Sequence, residues 1–365
     1  MIDNIKNLKY YSQKYNVPDT DTCLISLNTL GAKSSLKFLR IRSYFTPNFI
    51  NKTFYLMICL NTSQTPFYLT KSKIHLGEYM IGSLKKFEND LVELYYFRKK
   101  KKVLVLNTND RSHCIGKCTF CGTQYQTPRS KRKFLEFKEI LKLFEKIEET
   151  AKIKFSKLEE ICLNTGLFEN EKKLFTHLIS IYKAASLMNF KGEIKYIGAQ
   201  LRNKSNLKEI SKIIPKFSYY FTLETLERRD FIDKRKKYFA AFNVEKTVKF
   251  LNNLRKKGIE TSLLYVLGLD SLSSISHAFQ KFKKVLTRFP VINIFQAYHP
   301  SFELLRHEDA KRLDYFLNAR MIFENIFEDT DLRPKLWENY RGLWYTKFKG
   351  EKIEGSHLQT FIRGY

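Results

Sequence analysis

The chain of 365 residues is 43% hydrophobic and contains 31 Phe and 21 Tyr, which is ample for a large core and excludes an intrinsically disordered protein. Its formal net charge of +28 is compatible with an anionic partner such as nucleic acid, although the lysines are spread over predicted helix faces rather than gathered in one arm. Apolar runs stay below the ~18 residues of a membrane span, the N-terminus lacks the apolar stretch of a secretory signal, and six cysteines are too few for a disulfide scaffold, so we expect a cytoplasmic protein that does not enter a membrane.

Residues 1–100 are predicted to form a small, mostly β N-terminal region. Short apolar runs rich in β-prone residues, such as 54–58 and 66–69, are separated by Asn, Ser, Thr and Lys. The basic run at 98–102 follows an apolar stretch and is interpreted as a solvated turn between two strands.

Residues 101–328 are predicted to form a partial (βα)6 TIM-type barrel, which places the protein in the α/β class. Short β-rich runs alternate here with amphipathic helical stretches, the pattern of βαβ units around a parallel sheet. The six candidate strands cover 103–107, 160–164, 194–199, 219–222, 261–267 and 292–297. The helices include 134–152, 171–188 and 244–257, the last with Asn243 as its N-cap and Gly258 at its end.

Residues 329–365 are predicted to be an α/aromatic C-terminal extension. They follow a predicted helix at 307–327 and contain Trp337, Tyr340, Trp344 and Tyr345. We expect this extension to close the open end of the partial barrel.

A cysteine motif follows the first predicted strand of the barrel. Cys114, Cys118 and Cys121 have the spacing C-x3-C-x2-C, on a loop at the carboxyl end of a strand, where barrel active sites form. Three thiolates can bind three irons of a [4Fe-4S] cluster and leave the fourth iron open to another ligand. A zinc site is the alternative, but it requires a fourth ligand, and His113 is poorly placed to complete a tetrahedron because it adjoins Cys114.

At this motif the chain resembles the radical S-adenosylmethionine (radical SAM) superfamily. Over about 103–300 the resemblance is nearest to the biotin synthase, HydE and PylB-like group. It implies a [4Fe-4S] cluster whose open iron binds S-adenosyl-L-methionine, cleavage of that cofactor to a 5'-deoxyadenosyl radical, and abstraction of hydrogen from a substrate. It also implies an electron donor such as flavodoxin or ferredoxin.

The resemblance further implies where the cofactor binds. Thr165 and Gly166 match a turn after the second strand, but the usual acidic residue is missing, so only their backbone contacts are carried over. Glu224 ends the matching triplet 222–224 and would accept hydrogen bonds from the ribose hydroxyls or the methionine ammonium. A solvent-facing or helix-capping glutamate is the alternative interpretation of Glu224.

Four more residues are candidates for cofactor binding by the same resemblance. Lys246 or Arg228 would pair with the methionine carboxylate, although either could be an ordinary surface cation. Gly268 would allow close approach to the adenine, and Phe120 is the aromatic residue before the third cysteine.

Residues beyond the cofactor site are less strongly indicated. No catalytic side chain is identified, but Gln200, Gln296, Tyr298 and His299 lie at or beyond strand ends, where a substrate would bind. Cys162 is close to where biotin synthase carries a ligand of a second cluster. The matching positions on the third and fifth strands offer no thiol, so a structural role for Cys162 and a single cluster are predicted.

The predicted function is a radical SAM reaction on a small molecule, in cofactor or secondary-metabolite biosynthesis. Modification of a peptide or RNA is the alternative that the basic charge and the N-terminal region favour. A non-enzymatic, metal-bearing binding module is the third hypothesis.

Overall fold

The computed structural model describes residues 4–62, 65–89, 94–108, 114–116, 118–121, 136–232 and 243–355. Among the helices in these ranges, none combines the length and apolar character needed to span a membrane.

The N-terminal part contains two helices and a six-stranded sheet. Helices α1 (Ile5–Tyr15) and α2 (Asp19–Leu30) come first. The strand order is β1-β4-β5-β6-β2-β3, with β1 (Lys33–Ser34), β2 (Arg40–Pro47), β3 (Phe54–Cys59), β4 (Phe67–Thr70), β5 (Lys73–Leu76) and β6 (Tyr79–Asn89). The two helices are absent from the sequence-based prediction, which described this part as mostly β.

A seven-stranded sheet follows, with the strand order β13-β12-β11-β10-β9-β8-β7. Its strands are β7 (Tyr95–Arg98), β8 (Val103–Leu106), β9 (Glu160–Asn164), β10 (Glu193–Gly198), β11 (Phe217–Glu224), β12 (Glu260–Leu267) and β13 (Val291–Ile294). Strands β8 to β13 are parallel and adjacent in sequence order, and β7 pairs with β8 in the antiparallel direction. The chain is therefore a mixed α/β protein, and each predicted strand overlaps an observed one.

The hairpin of β7 and β8 differs from the prediction in one respect. Arg98 is the last residue of β7 and only 8% exposed, so it does not belong to a solvated turn. The turn itself is formed by Lys99, Lys100 and Lys101, which have φ values of 50°, 52° and 66°. Because β7 joins the second sheet, the boundary expected at residue 100 falls inside this hairpin, and the division into three regions stays a prediction.

Helices connect the parallel strands and pack on one side of the sheet. They are α3 (Phe137–Ala151), α4 (Glu171–Leu187), α5 (Lys204–Ile213), α6 (Val244–Arg255) and α7 (Leu272–Lys283), followed by α8 (Pro300–Glu303) and α9 (Leu313–Phe327). In α3 the buried residues Ile140, Leu143, Phe144 and Ile147 repeat every three or four positions, as expected of an amphipathic helix. Asn243 caps α6 as predicted, because its side chain accepts the N–H of Lys246 at 2.9 Å.

The inner face of the seven-stranded sheet is the side opposite these helices. Successive side chains of a strand point to opposite faces, and alternate residues here form a separate apolar cluster of Val103, Val105, Cys162, Ile197, Tyr220 and Val291. Trp337, from the segment after α9, packs against this cluster. The same segment ends in a hairpin of β14 (Lys347–Phe348) and β15 (Glu351–Lys352). Residues C-terminal to α9 therefore cover part of the inner face.

A buried ion pair joins the two ends of the described chain. Arg320 of α9 lies 2.6 Å from Asp21 of α2, and the two side chains are 2% and 0% exposed. Arg320 also donates hydrogen bonds to the carbonyl oxygens of Leu343 and Lys347, at 2.8 and 2.6 Å. Helix α2, helix α9 and the C-terminal segment are thereby held against one another.

Candidate active site at the carboxyl edge of the parallel sheet

The cysteine loop, residues 114–121, is attached to two neighbouring loops of the sheet. Ile115 N–H donates to the carbonyl of Leu167 at 3.2 Å, and Leu167 N–H donates to Cys114 Sγ at 3.2 Å. Thr119 N–H donates to the carbonyl of Phe231 at 2.8 Å. The loops that follow β9 and β11 therefore fix the position of the cysteine loop.

The three predicted metal ligands lie on this loop but are not gathered into a metal-binding arrangement. Within the described ranges, no group of three or more His, Cys, Asp or Glu side chains is placed to hold a metal ion. The chemistry of the donor set nevertheless fits an iron-sulfur cluster, since three thiols within eight positions supply soft ligands. The N–H of Leu167 at Cys114 is the kind of hydrogen bond that stabilises a cluster thiolate. His113 lies outside the described residues.

A cavity of about 300 Å³ opens beside the cysteine loop and extends along the inner face. Phe120 and Cys121 border it at the carboxyl edge of the sheet, together with Asn164 and Glu224. The other lining residues come from β7, from β10 to β13, from the loop after β13, from the N-terminal sheet and from the segment after α9: Arg40, Arg98, Lys195, Ile197, Tyr220, Thr222, Leu264, Val266, Val291, Asn293, Phe295, Gln296, Tyr298, Glu338, Tyr340 and Arg341.

Glu224 has a backbone conformation that is unusual for a residue with a side chain. Its φ is 69°, and the pairing of β11 with β12 is irregular between Thr222 and Glu224. The left-handed conformation costs an L-residue about 1–2 kcal/mol, and such strain concentrates at functional sites. The strained position places the carboxylate of Glu224 in the lining of the cavity.

Asp270 holds the turn that follows Glu224. This fully buried carboxylate accepts hydrogen bonds from Thr225 Oγ1 at 2.6 Å and from the N–H groups of Leu226 and Glu227 at 2.8 Å each. Tyr265 OH donates to it as well, at 2.6 Å. Sequence reasoning did not select Asp270, although an acidic residue directly after the Gly268 turn was a visible signal.

Gly268, predicted to approach the adenine, directly follows β12. Its φ of 117° is accessible to glycine and rarely to other residues, and an added Cβ would lie 3.2 Å from Phe295 Cβ. Phe295 lines the cavity. Thr165 and Gly166 precede Leu167 directly and so lie next to the cysteine loop.

The two cations proposed for the methionine carboxylate lie elsewhere. Neither Arg228 nor Lys246 is among the described residues that line the cavity. Arg228 stacks over Phe231 with its guanidinium carbon 3.7 Å from the ring centroid, and it pairs with Asp230 at 3.4 Å. Lys246 is exposed in the first turn of α6.

Arg229 is a cation close to the cysteine loop that sequence reasoning missed. Its Nη1 donates to the carbonyls of Leu223 and Thr225 at 2.6 and 2.7 Å. Burial lowers the pKa of its guanidinium, while the negative charges of Glu224, Asp270 and Cys118 act in the opposite direction. A cation at this position stabilises a thiolate on the loop. In the sequence, the signal for Arg229 was its position next to Arg228.

The four residues proposed for substrate contact fall into two pairs. Gln296 and Tyr298 line the cavity. The guanidinium of Arg40 lies 4.2 Å from the ring centroid of Tyr298 and donates to Gln296 Oε1 at 3.3 Å. Gln200 instead bonds the backbone of Phe168, and His299 caps the short helix α8, so both hold loops in place.

No model of a known protein family matches this sequence, and no curated protein matches it. Solved structures with some similarity include SuiB of Streptococcus suis bound to S-adenosylmethionine, with a TM-score of 0.42 and 15% identity over 65% of this chain and 50% of that one. SuiB bound to its precursor peptide SuiA has a TM-score of 0.38 and 16% identity over 55% of this chain and 40% of that one. Coproporphyrinogen III oxidase (HemN) from Escherichia coli, described as a radical SAM enzyme, has a TM-score of 0.37 and 11% identity over 57% of this chain and 50% of that one. The chain spans about half the length of these proteins or less.

Proposed function

We propose that this protein is a radical SAM enzyme that binds a [4Fe-4S] cluster through Cys114, Cys118 and Cys121 and acts on a small molecule. One observation carries the proposal. The C-x3-C-x2-C loop and the strained carboxylate Glu224 border the same cavity, at the carboxyl edge of a parallel sheet. The nearest group within the superfamily, with biotin synthase, HydE and PylB, is part of this proposal.

The protein's own residues supply ligands, orientation and exclusion of water. When bound, the cluster and S-adenosylmethionine supply a one-electron reduction and a carbon radical. Cys114, Cys118 and Cys121 would hold the cluster, and Arg229 offsets negative charge on the loop. Glu224 accepts hydrogen bonds from the cofactor, and Asp270 holds the turn that positions Glu224.

The size of the cavity supports a small substrate. About 300 Å³ lies at the lower end of the range for small-molecule sites. Arg40, Tyr298, Tyr340 and Arg341 are among the residues that bound this space. Modification of a peptide or RNA remains the alternative that the net charge of +28 favours.

Anaerobic reconstitution with iron and sulfide tests the proposed function. We expect a brown protein that releases 5'-deoxyadenosine from S-adenosylmethionine when dithionite is added. A protein that binds zinc in place of the cluster and releases no nucleoside would be a binding module instead. Strongly salt-dependent retention on RNA would move the assignment to a macromolecular substrate.

Exchanging Glu224 for Gln is expected to weaken S-adenosylmethionine binding about 10-fold or more, because a hydrogen bond to a charged group contributes about 1.5–3 kcal/mol. Iron content should not change, since Glu224 is proposed to contact the cofactor and not the iron. Equilibrium dialysis with the reconstituted protein measures the affinity. Glu209→Gln, an exposed carboxylate of α5, is the control. If Glu224→Gln and the wild type bind S-adenosylmethionine equally well, Glu224 has a structural role instead.

A further inference from the structure

The end of the cavity that lies away from the cysteine loop, here called the inner end, has cationic side chains in its lining. Arg98 pairs with Val103 at the start of β8, and Val103 pairs with Glu160 at the start of β9. Arg98 therefore lies at the amino edge of the parallel sheet, opposite the carboxyl edge where Glu224 ends β11. Arg98 and Lys195 line the inner end together with Glu338. Among the described lining residues, two cations and one carboxylate therefore lie at this end.

Lys195 is already neutralised by its neighbours. Its Nζ lies 2.8 Å from Glu160 Oε2 and 2.6 Å from Glu338 Oε1, and the three side chains are 2%, 12% and 9% exposed. Burial opposes the ionisation of Glu338, but the ammonium of Lys195 outweighs it and brings the pKa of Glu338 to about 2. We call Lys195, Glu160 and Glu338 the buried ion cluster; its two carboxylates are committed to Lys195.

Arg98 has a less direct counter-charge, because Glu338 favours its ionised guanidinium from beyond ion-pair distance. It is 8% exposed, and its guanidinium donates one hydrogen bond, from Nη2 to Tyr96 OH at 2.6 Å. In the part of the chain that the structure describes, it forms no ion pair with a carboxylate, and its Nε has no hydrogen-bond acceptor. The Nε of Arg341, which also lines the cavity, is likewise buried without an acceptor among the described residues. A buried donor without an acceptor is energetically unfavourable, and a bound anion would supply the acceptor.

We propose that the inner end of the cavity binds a carboxylate group of the substrate through Arg98. This proposal rests on the proposed function, because it identifies a chemical group of that enzyme's substrate. The planar fork of a guanidinium can form two parallel hydrogen bonds to a carboxylate. Glu338 lines the same end, and its negative charge opposes a doubly charged phosphate more strongly than a singly charged carboxylate. A substrate held by its carboxylate at this end would extend along the inner face toward the cysteine loop.

The experiment uses hexanoate, hexanamide and hexyl phosphate as probes of equal chain length, with binding to the full chain followed by ligand-observed NMR titration at 0.15 M salt. We expect hexanoate to bind at least 10-fold more tightly than hexanamide. Arg98→Met should remove this preference. Arg312→Met is the matched control, since it removes the same charge from a side chain that is 72% exposed, and it should leave the preference unchanged.

Several outcomes would overturn the carboxylate site. They are equal binding of hexanoate and hexanamide, a preference that survives Arg98→Met, and tighter binding of hexyl phosphate than of hexanoate. Arg98→Lys serves if Arg98→Met does not fold: it retains the charge without the fork and should bind hexanoate several-fold more weakly than the wild type. Unchanged hexanoate affinity in a folded Arg98→Lys variant would also contradict the proposal. None of these titrations needs the cluster or S-adenosylmethionine, so their failure is distinct from failure to release 5'-deoxyadenosine.

Discussion

Replacing any one of Cys114, Cys118 or Cys121 with Ala is expected to abolish the cluster absorbance and the release of 5'-deoxyadenosine. Each substitution removes one of three thiolates from a loop that supplies all the proposed protein ligands of the cluster. The measurement is the visible absorbance and iron content of anaerobically reconstituted protein, followed by a nucleoside assay. Full cluster content and activity in any one of the three variants would reject the assignment of the loop.

Cys162→Ala is the matched control for these variants. Cys162 is 1% exposed on the inner face, and burial raises the pKa of its thiol to about 12, which disfavours the thiolate that binds metal. Both the wild type and this variant should hold about four irons per chain and cleave the cofactor. An iron content of about six or about eight that falls to about four in Cys162→Ala would indicate a second cluster and return sulfur insertion to consideration.

Lys195→Met is expected to destabilise the protein by about 3–5 kcal/mol, because the carboxylates of Glu160 and Glu338 are then buried without their cation. Urea unfolding followed by tryptophan fluorescence measures the change, since Trp337 packs against the inner face. Lys154→Met is the comparison. It breaks an ion pair with Glu148 in which the lysine is 75% exposed, and such a pair contributes about 1 kcal/mol or less.

A second substitution separates lost charge from lost packing. Adding Glu338→Gln to Lys195→Met removes one of the two uncompensated carboxylates, so the double variant should regain part of the lost stability. A destabilisation by Lys195→Met below about 1 kcal/mol would show that the buried ion cluster does not stabilise the fold.

The parallel strands and the position of the cysteine loop could be predicted because their signals are local. Each strand appears as a short β-rich run between amphipathic helices, and α3 and α6 show their apolar stripes directly. Glu224 could be predicted from a triplet at the end of a strand, but its left-handed backbone could not, because strain of this kind is set by the surrounding structure.

Other features depend on contacts between distant parts of the chain. Helix α2 is buried from Thr20 to Thr29, so it lacks the one-sided apolar pattern that reveals a surface helix. Several of its polar side chains form hydrogen bonds inside the protein, as when Ser26 Oγ donates to the carbonyl of Thr22 at 2.6 Å. Arg98 was assigned to a solvated turn because its sequence neighbours are lysines, whereas tertiary packing buries it.

The residues that line the cavity are synthesised in a fixed order. Residues 338–341 leave the ribosome after every strand of the seven-stranded sheet, and they include Glu338, Tyr340 and Arg341 of the lining. In a nascent chain, Lys195 therefore has Glu160 beside it before Glu338 arrives, and the inner face is still uncovered on that side. The cysteine loop is translated much earlier, before the cavity lining is complete. Residues 338–341 are therefore the last part of the cavity lining to be synthesised.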